Sequence, residues 1–242
     1  MNLLQLLQFQ EKHQSRLEPI IHVLSEQMDS YIAGGDTTYG QTGRCSTSTT
    51  PTQVSISNVS AIEAGGAATC AVLDTGYVEC WGDNRYGQSA TNVTDTNCND
   101  IPANALFSQD SSTQDKVKQL SLGYTHGCAI TQSNQVKCWG SDAYGQLGAG
   151  LANIGTKLYP FRIDSLDNAT KVNASKYHSC AIMADSTVKC WGYNVSGLTG
   201  LNSIGDEDPI TLDPQKVYGL NYGVVELSGK NTYTCAKTDR GY

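Results

Sequence analysis

The residues of this 242-residue chain that could do chemistry are nine cysteines, four histidines and a scatter of aspartates. Six cysteines form three pairs ten positions apart: Cys70 with Cys80, Cys128 with Cys138, and Cys180 with Cys190. Each pair runs straight into Trp-Gly, through Trp81, Trp139 and Trp191, the three tryptophans of the chain. Zinc sites need clustered spacings such as Cys-x2-Cys, and none is present. His126 and His178 share one repeat position, two residues before a cysteine. A metal site or a general base is the sharp reading of them; a histidine bonding backbone between strands is the favoured one. No ordered set of nucleophile, acid and base accompanies them. Asp36, Asp83 and Asp142 recur near the Trp-Gly turn, where capping by a side-chain oxygen explains them better than sparse calcium ligation. Gly-Gln-Leu-Gly at 145–148 lacks the Gly-Lys-Ser/Thr ending of a phosphate loop.

What must position the cysteines is a β-hairpin. Cys70-Ala-Val-Leu-Asp-Thr-Gly-Tyr-Val-Glu-Cys80 centres on Thr75, with Gly76 where a three-residue turn needs a left-handed residue. Leu73 then opposes Tyr77, Val72 opposes Val78, Ala71 opposes Glu79 and Cys70 opposes Cys80. Side chains alternate faces, so Cys70, Val72, Val78 and Cys80 share one. Opposed cysteines stand roughly 4.5–5.5 Å apart at Cα, inside the disulfide window. The same register holds about Ser133, with Asn134 as the left-handed residue, and pairs Ile182 with Val188 in the copy from Cys180. Disulfides are therefore the expected state. The recurring indoles read as wedges between repeats, each needing a partner for its N–H; aromatic ligand binding is the alternative.

Composition bounds the rest. Glycine is frequent (24), proline scarce (6), and charged residues make up 16%, the profile of a turn-rich all-β protein. A net charge of −7 argues against nucleic acid, whose phosphates need a basic face. No run reaches the ~20 apolar residues of a membrane span. Paired cysteines imply an oxidising compartment. Five Asn-x-Ser/Thr sequons, at Asn58, Asn92, Asn168, Asn173 and Asn194, then become candidates for N-linked glycans.

Along the chain, residues 1–16 stand apart as an N-terminal extension. Leu3, Leu4 and Leu7 could form a helical stripe, or the segment could be a strand covering an edge. It lacks the basic start and small-residue cleavage site of a signal peptide, so a processed chain or a fragment is expected. Residues 17–53 trace a degenerate first repeat in which Tyr39-Gly40-Gln41 matches Tyr86-Gly87-Gln88 and Tyr144-Gly145-Gln146. That alignment puts Val23 and Ala33 at the cysteine positions, while Ile20–Met28 reads equally as a helix. Residues 42–53, rich in Ser and Thr, read as a connecting loop or an O-glycosylated one. Cys45 and Cys98 lie in corresponding loops of adjacent repeats, so they bridge neighbours or are free for another chain. Full repeats follow at 54–116, 117–170 and 171–224, with a partial one at 225–242. Equivalent first cysteines are 58, 52 and 55 residues apart, a period of stacked or radial four-stranded units. Cys235 has its partner position beyond Tyr242, so the chain is expected to be incomplete.

Gly-Tyr-Thr-His-Gly-Cys-Ala-Ile (123–130) and Val-Lys-Cys-Trp-Gly-Ser-Asp-Ala-Tyr-Gly-Gln-Leu-Gly (136–148) resemble the RCC1-type repeat, in its cysteine-paired extracellular variety. The resemblance implies an all-β fold, an RCC1-like β-propeller of four-stranded blades, usually seven, of which four and part of a fifth are visible. Nuclear members of that family act on a small GTPase and dock on chromatin, while secreted propellers similar to this chain act as binding or inhibitory surfaces. Fold alone does not assign activity. The expectation is a secreted, non-enzymatic glycoprotein: a rigid scaffold or binding module for other protein chains of an extracellular assembly, copies of itself among them. No cofactor, nucleic acid or membrane insertion is expected. An intracellular guanine nucleotide exchange factor is the second class, and a propeller enzyme the third.

Overall fold

The computed structural model describes residues 22–25, 31–46, 51–108, 114–151, 155–201 and 209–239. Everything read for 1–16 lies outside these residues, as do 47–50 of the Ser/Thr-rich loop. The described chain is a fan of antiparallel sheets taken in sequence order. The first sheet holds β1 (His22–Ser25), β2 (Tyr31–Gly34) and β3 (Thr52–Val54). Then come β4 (Val59–Gly65), β5 (Ala68–Leu73), β6 (Val78–Gly82) and β7 (Ala103–Asn104). The third blade is β8 (Val117–Leu122), β9 (His126–Thr131), β10 (Val136–Gly140) and β11 (Lys157–Arg162). The fourth is β12 (Ala169–Ala174), β13 (His178–Met183), β14 (Val188–Tyr193) and β15 (Ile210–Lys216). A pair, β16 (Val224–Gly229) and β17 (Thr234–Thr238), ends the described fold. This is an all-β propeller arc, each blade an up-and-down meander.

The hairpin register is the one written in the sequence. Cys70 pairs with Cys80, Cys128 with Cys138 and Cys180 with Cys190, each at 4.1 Å between Cα atoms and each disulfide-bonded. The third turn residue is left-handed in every copy: Gly76 (φ 84°), Asn134 (φ 62°) and Ser186 (φ 62°). In the first blade Val23 pairs with Ala33, at the register of the later cysteines, and a strand occupies 22–25 where a helix was the alternative. Within the loop read over 42–53, Thr52 and Gln53 belong instead to β3, which pairs with β2. Inner strands begin one or two residues ahead of the repeat boundaries at 171 and 225. A β-bulge at the start of each, as between Ala169 and Lys171, carries pairing one residue further back.

The core lies between blades. The Cys70, Val72, Val78 and Cys80 face of the second blade packs on Leu120, Ala129 and Trp139 of the third. The same face of the third, through Cys128, Ile130, Val136 and Cys138, packs on Val172, Ala181 and Trp191 of the fourth. Middle strands are therefore buried on both faces, and β9 has no exposed residue. Alanine stands opposite each sulfur pair because little room remains beside the indole. Gly127 is the extreme case: a Cβ there would lie 2.4 Å from Trp139 Cζ2. Each buried tryptophan removes roughly 200 Å² from water, a gross gain of about 5 kcal/mol.

Candidate binding face

The turns after β4, β8 and β12 and those after β6, β10 and β14 all emerge at one end of the propeller. Tyrosines collect there from two sources. Tyr39, Tyr86 and Tyr144 come from the Tyr-Gly-Gln turns, and Tyr124 and Tyr177 from the turns between first and second strands. Tyr144 lies 4.8 Å from Tyr177 and 5.1 Å from Tyr193 between ring centroids, and Tyr124 lies 6.4 Å from Tyr177. Arg85 sits 4.2 Å over the Tyr39 ring, and Lys176 lies 5.2 Å from Tyr124 and 5.4 Å from Tyr177. Five of these tyrosines, with Arg85, Asp83 and Ser141, line a groove of about 550 Å³. Rings held edge-on to each other and capped by cations form a rigid amphipathic surface that loses little entropy on contact. Arg85 donates to both carboxylate oxygens of Asp83, at 2.9 and 2.7 Å, and this bond raises its pKa further. At the same end Lys230 donates to the Ala64 carbonyl at 2.9 Å, spanning from the last described blade to the second, with Glu63 3.8 Å away. Burial pushes the Glu63 carboxyl up, and Lys230 partly offsets this.

The Tyr-Gly-Gln turn does two jobs. Gln41, Gln88 and Gln146 each accept the N–H of the tyrosine two residues back on Oε1. Their backbone carbonyls each accept the indole N–H of the next blade's tryptophan: Trp81 to Gln41 at 3.0 Å, Trp139 to Gln88 at 2.8 Å and Trp191 to Gln146 at 2.9 Å. All three tryptophans are structural in this geometry, and all are fully enclosed.

His126 and His178 are buried, but their partner is a hydroxyl of the following blade, not the backbone. His126 Nε2 lies 2.8 Å from Ser179 Oγ, and His178 Nε2 lies 2.8 Å from Thr234 Oγ1. Ser179 donates its own proton to the Gln146 carbonyl at 3.0 Å, so His126 Nε2 is the donor to Ser179. Burial, with a smaller effect of His178, brings His126 down to about 3; burial brings His178 down to about 4. Among the described residues no group of three His, Cys, Asp or Glu side chains is placed to hold a metal.

The aspartates cap turns, as read, from two neighbouring repeat positions. Asp36, Asp83 and Ser141 accept the N–H two residues on. Asn84, Asp142 and Asn194 accept the N–H five residues on, from Ser89, Leu147 and Thr199. Asp142 is the only charged member of its set, and burial pushes it up to about 6. Cys45 and Cys98 form a disulfide with Cα atoms 5.7 Å apart, and Cys235 is free and exposed. The sequons divide. Asn58, Asn92 and Asn168 are exposed, Asn173 is half-buried, and Asn194 is buried at 5%. Asn194 is thus a turn cap with an enclosed side chain. The tyrosine groove went unread in the sequence; the recurrence of tyrosine before Gly-Gln was the signal for it.

A family model for the regulator of chromosome condensation (RCC1) repeat matches residues 59–88, 117–146 and 169–198, and a second one for the same repeat matches 134–182. The ultraviolet-B receptor UVR8 of Arabidopsis thaliana is 26% identical over 168 residues, which are 67% of this chain and 36% of that protein. The mouse secretion-regulating guanine nucleotide exchange factor is 28% identical over 155 residues, 57% of this chain and 32% of the relative. The chain thus spans about a third of the length of these relatives. Among solved structures, yeast RCC1 (Prp20) bound to Kap60 superposes with a TM-score of 0.73 at 16% identity, over 94% of this chain and 56% of that one. Human WBSCR16 gives 0.72 at 20% identity, over 93% and 60%. These likenesses establish the fold.

Proposed function

The chain is an RCC1-repeat β-propeller, and on that premise we propose that it is a secreted, non-enzymatic binding module that presents its tyrosine groove to a protein partner in an extracellular or cell-surface assembly. The observation that carries this reading is the sulfur arrangement. Eight cysteines pair, and one of the bonds, Cys45–Cys98, joins two blades through an exposed residue. Such a bond persists where thiols are not kept reduced. The groove supports the partner class, because clustered tyrosines with stacked cations suit a protein surface. The non-enzymatic part rests on the two imidazoles, which are consumed by bonds between blades. Alkylating the unreduced, unfolded chain isolated from its natural source tests the reading. Cys45, Cys70, Cys80, Cys98, Cys128, Cys138, Cys180 and Cys190 are expected to resist alkylation; reaction at a majority of them refutes extracellular placement.

A second reading, an intracellular regulator acting on a small GTPase, draws on the name of the mouse exchange factor. It requires free thiols in the native protein and acceleration of nucleotide release from a GTPase, which the same isolate can be assayed for.

A further inference from the structure

The five sequons occupy two kinds of site. Asn58 (φ 55°) and Asn168 (φ 67°) are left-handed turn residues immediately before inner strands β4 and β12. Their sequon hydroxyls are equivalent too. Ser60 Oγ donates to the Val72 carbonyl at 3.0 Å and Thr170 Oγ1 to the Ile182 carbonyl at 3.2 Å, each from within a bulge. Asn92 (φ 62°) sits in the long connection after β6, its N–H given to the Leu158 carbonyl. All three are exposed turn residues; Asn58 Nδ2 touches only its chain neighbour, donating to Ser57 Oγ at 3.4 Å on the surface, and Asn92 lines an open cleft with Leu106, Ser108 and Tyr159. Asn173 lies inside β12 and donates Nδ2 to the Gly229 carbonyl of the next blade at 3.3 Å. Asn194 is enclosed, its Oδ1 accepting from both the N–H and the hydroxyl of Thr199.

We infer that N-linked glycans are carried on Asn58, Asn92 and Asn168 and on neither Asn173 nor Asn194. The inference rests on the secretory reading above and goes further by choosing among the sequons. N-glycosylation joins a sugar to the side-chain amide nitrogen, so that nitrogen must lie at the surface and must not be tied into the contact between blades. A glycan on Asn173 severs a bond between blades, and one on Asn194 forces the cap open. The positions of Asn58 and Asn168 add a directional consequence. Both precede first strands, so they lie at the end of the propeller opposite the turns that build the tyrosine groove. Two of the three glycans therefore cover the far end and leave the groove bare.

The test is translation of the full chain, behind a cleavable leader, into glycosylation-competent microsomes. Sites are then mapped by enzymatic deglycosylation, which converts each occupied asparagine to aspartate. Conversion at 58, 92 and 168 and none at 173 or 194 is the expected result. Ser60→Ala and Thr170→Ala should each remove one glycan's mass, and Ser196→Ala none. Conversion at 173 or 194, or none at 58 and 168, in a product with four disulfides overturns the inference and leaves the secretory reading standing. The expected sugar pattern on a product whose hairpin cysteines remain thiols upholds the inference and defeats that reading.

Discussion

The interface between the third and fourth blades and that between the first and second do the same job with different chemistry. Between the third and fourth, a chain of hydrogen bonds runs from His126 to Ser179 to the Gln146 carbonyl, which also accepts from Trp191. Gln119 adds a two-way bond to the Val172 backbone, and Ser121 accepts the Ala174 N–H. Between the first and second, Trp81 and Thr69 both donate to the Gln41 carbonyl, but no imidazole is available to join them, because the sequence has Ile21 in the first blade at the position that matches His126 in the third. The Cys45–Cys98 bond is present there instead, and Asn99 donates to the Tyr39 carbonyl beside it. A buried polar chain holds only while dry and correctly protonated; a covalent staple holds whatever the pH but depends on redox state.

The contrast breaks in a definite order. Trp191→Ala should be the most damaging change, costing about 3–5 kcal/mol by leaving a cavity between two blades, read as a fall in the urea midpoint. Replacing Cys45 and Cys98 together by serine should cost up to about 4 kcal/mol by freeing a long loop in the unfolded chain. Hydrogen exchange should then rise over 31–46 while β9 and β13 stay protected. Ser179→Ala should cost about 1–3 kcal/mol by stranding the His126 donor, with faster exchange confined to the third and fourth blades.

Acid sharpens the same difference. His126 and His178 are held neutral down to about 3 and about 4, whereas the unfolded chain takes up those protons near 6.5. Between these values the unfolded state binds more protons, so stability should fall as pH drops from about 6.5 toward 3. His178→Leu should flatten that part of a urea-midpoint titration. The smallest effect is expected at Asp142, whose folded value is up at about 6. Its contribution is fully present below the unfolded value near 3.8 and is lost as pH rises through 6. Asp142→Asn, matching Asn84 and Asn194, should therefore stabilise by about 1 kcal/mol at neutral pH, and the gain should vanish near pH 4.

Local pairing was legible because its rules are local. Cys70 and Cys80 sit ten residues apart around a turn with Gly76 in the right place, and period-two alternation fixes the rest. Val23 opposite Ala33 followed from the same register, even without cysteines. What the sequence could not display is contact between repeats, where the partners lie 40 to 51 residues apart, as Gln41 does from Trp81 and Gln88 from Trp139. The histidines illustrate the point. Their equivalence was visible, but their hydroxyl partners belong to another blade, and a serine before a cysteine carries no mark of that role. Asp83 and Asp142 were legible as turn caps, but not that they use two adjacent positions, because both positions favour Asp and Asn.

The indole's acceptor is a main-chain oxygen, and that has a consequence for how such a protein can change over generations. No side-chain replacement at 41, 88 or 146 deletes the acceptor atom itself. Leu198 occupies the corresponding place in the fourth blade. Any unit can therefore supply that oxygen to any other that brings its own ring nitrogen. Copying, shuffling or dropping whole units leaves the indole's acceptor in place, while the blade-specific pairs, such as His126 with Ser179, must travel together.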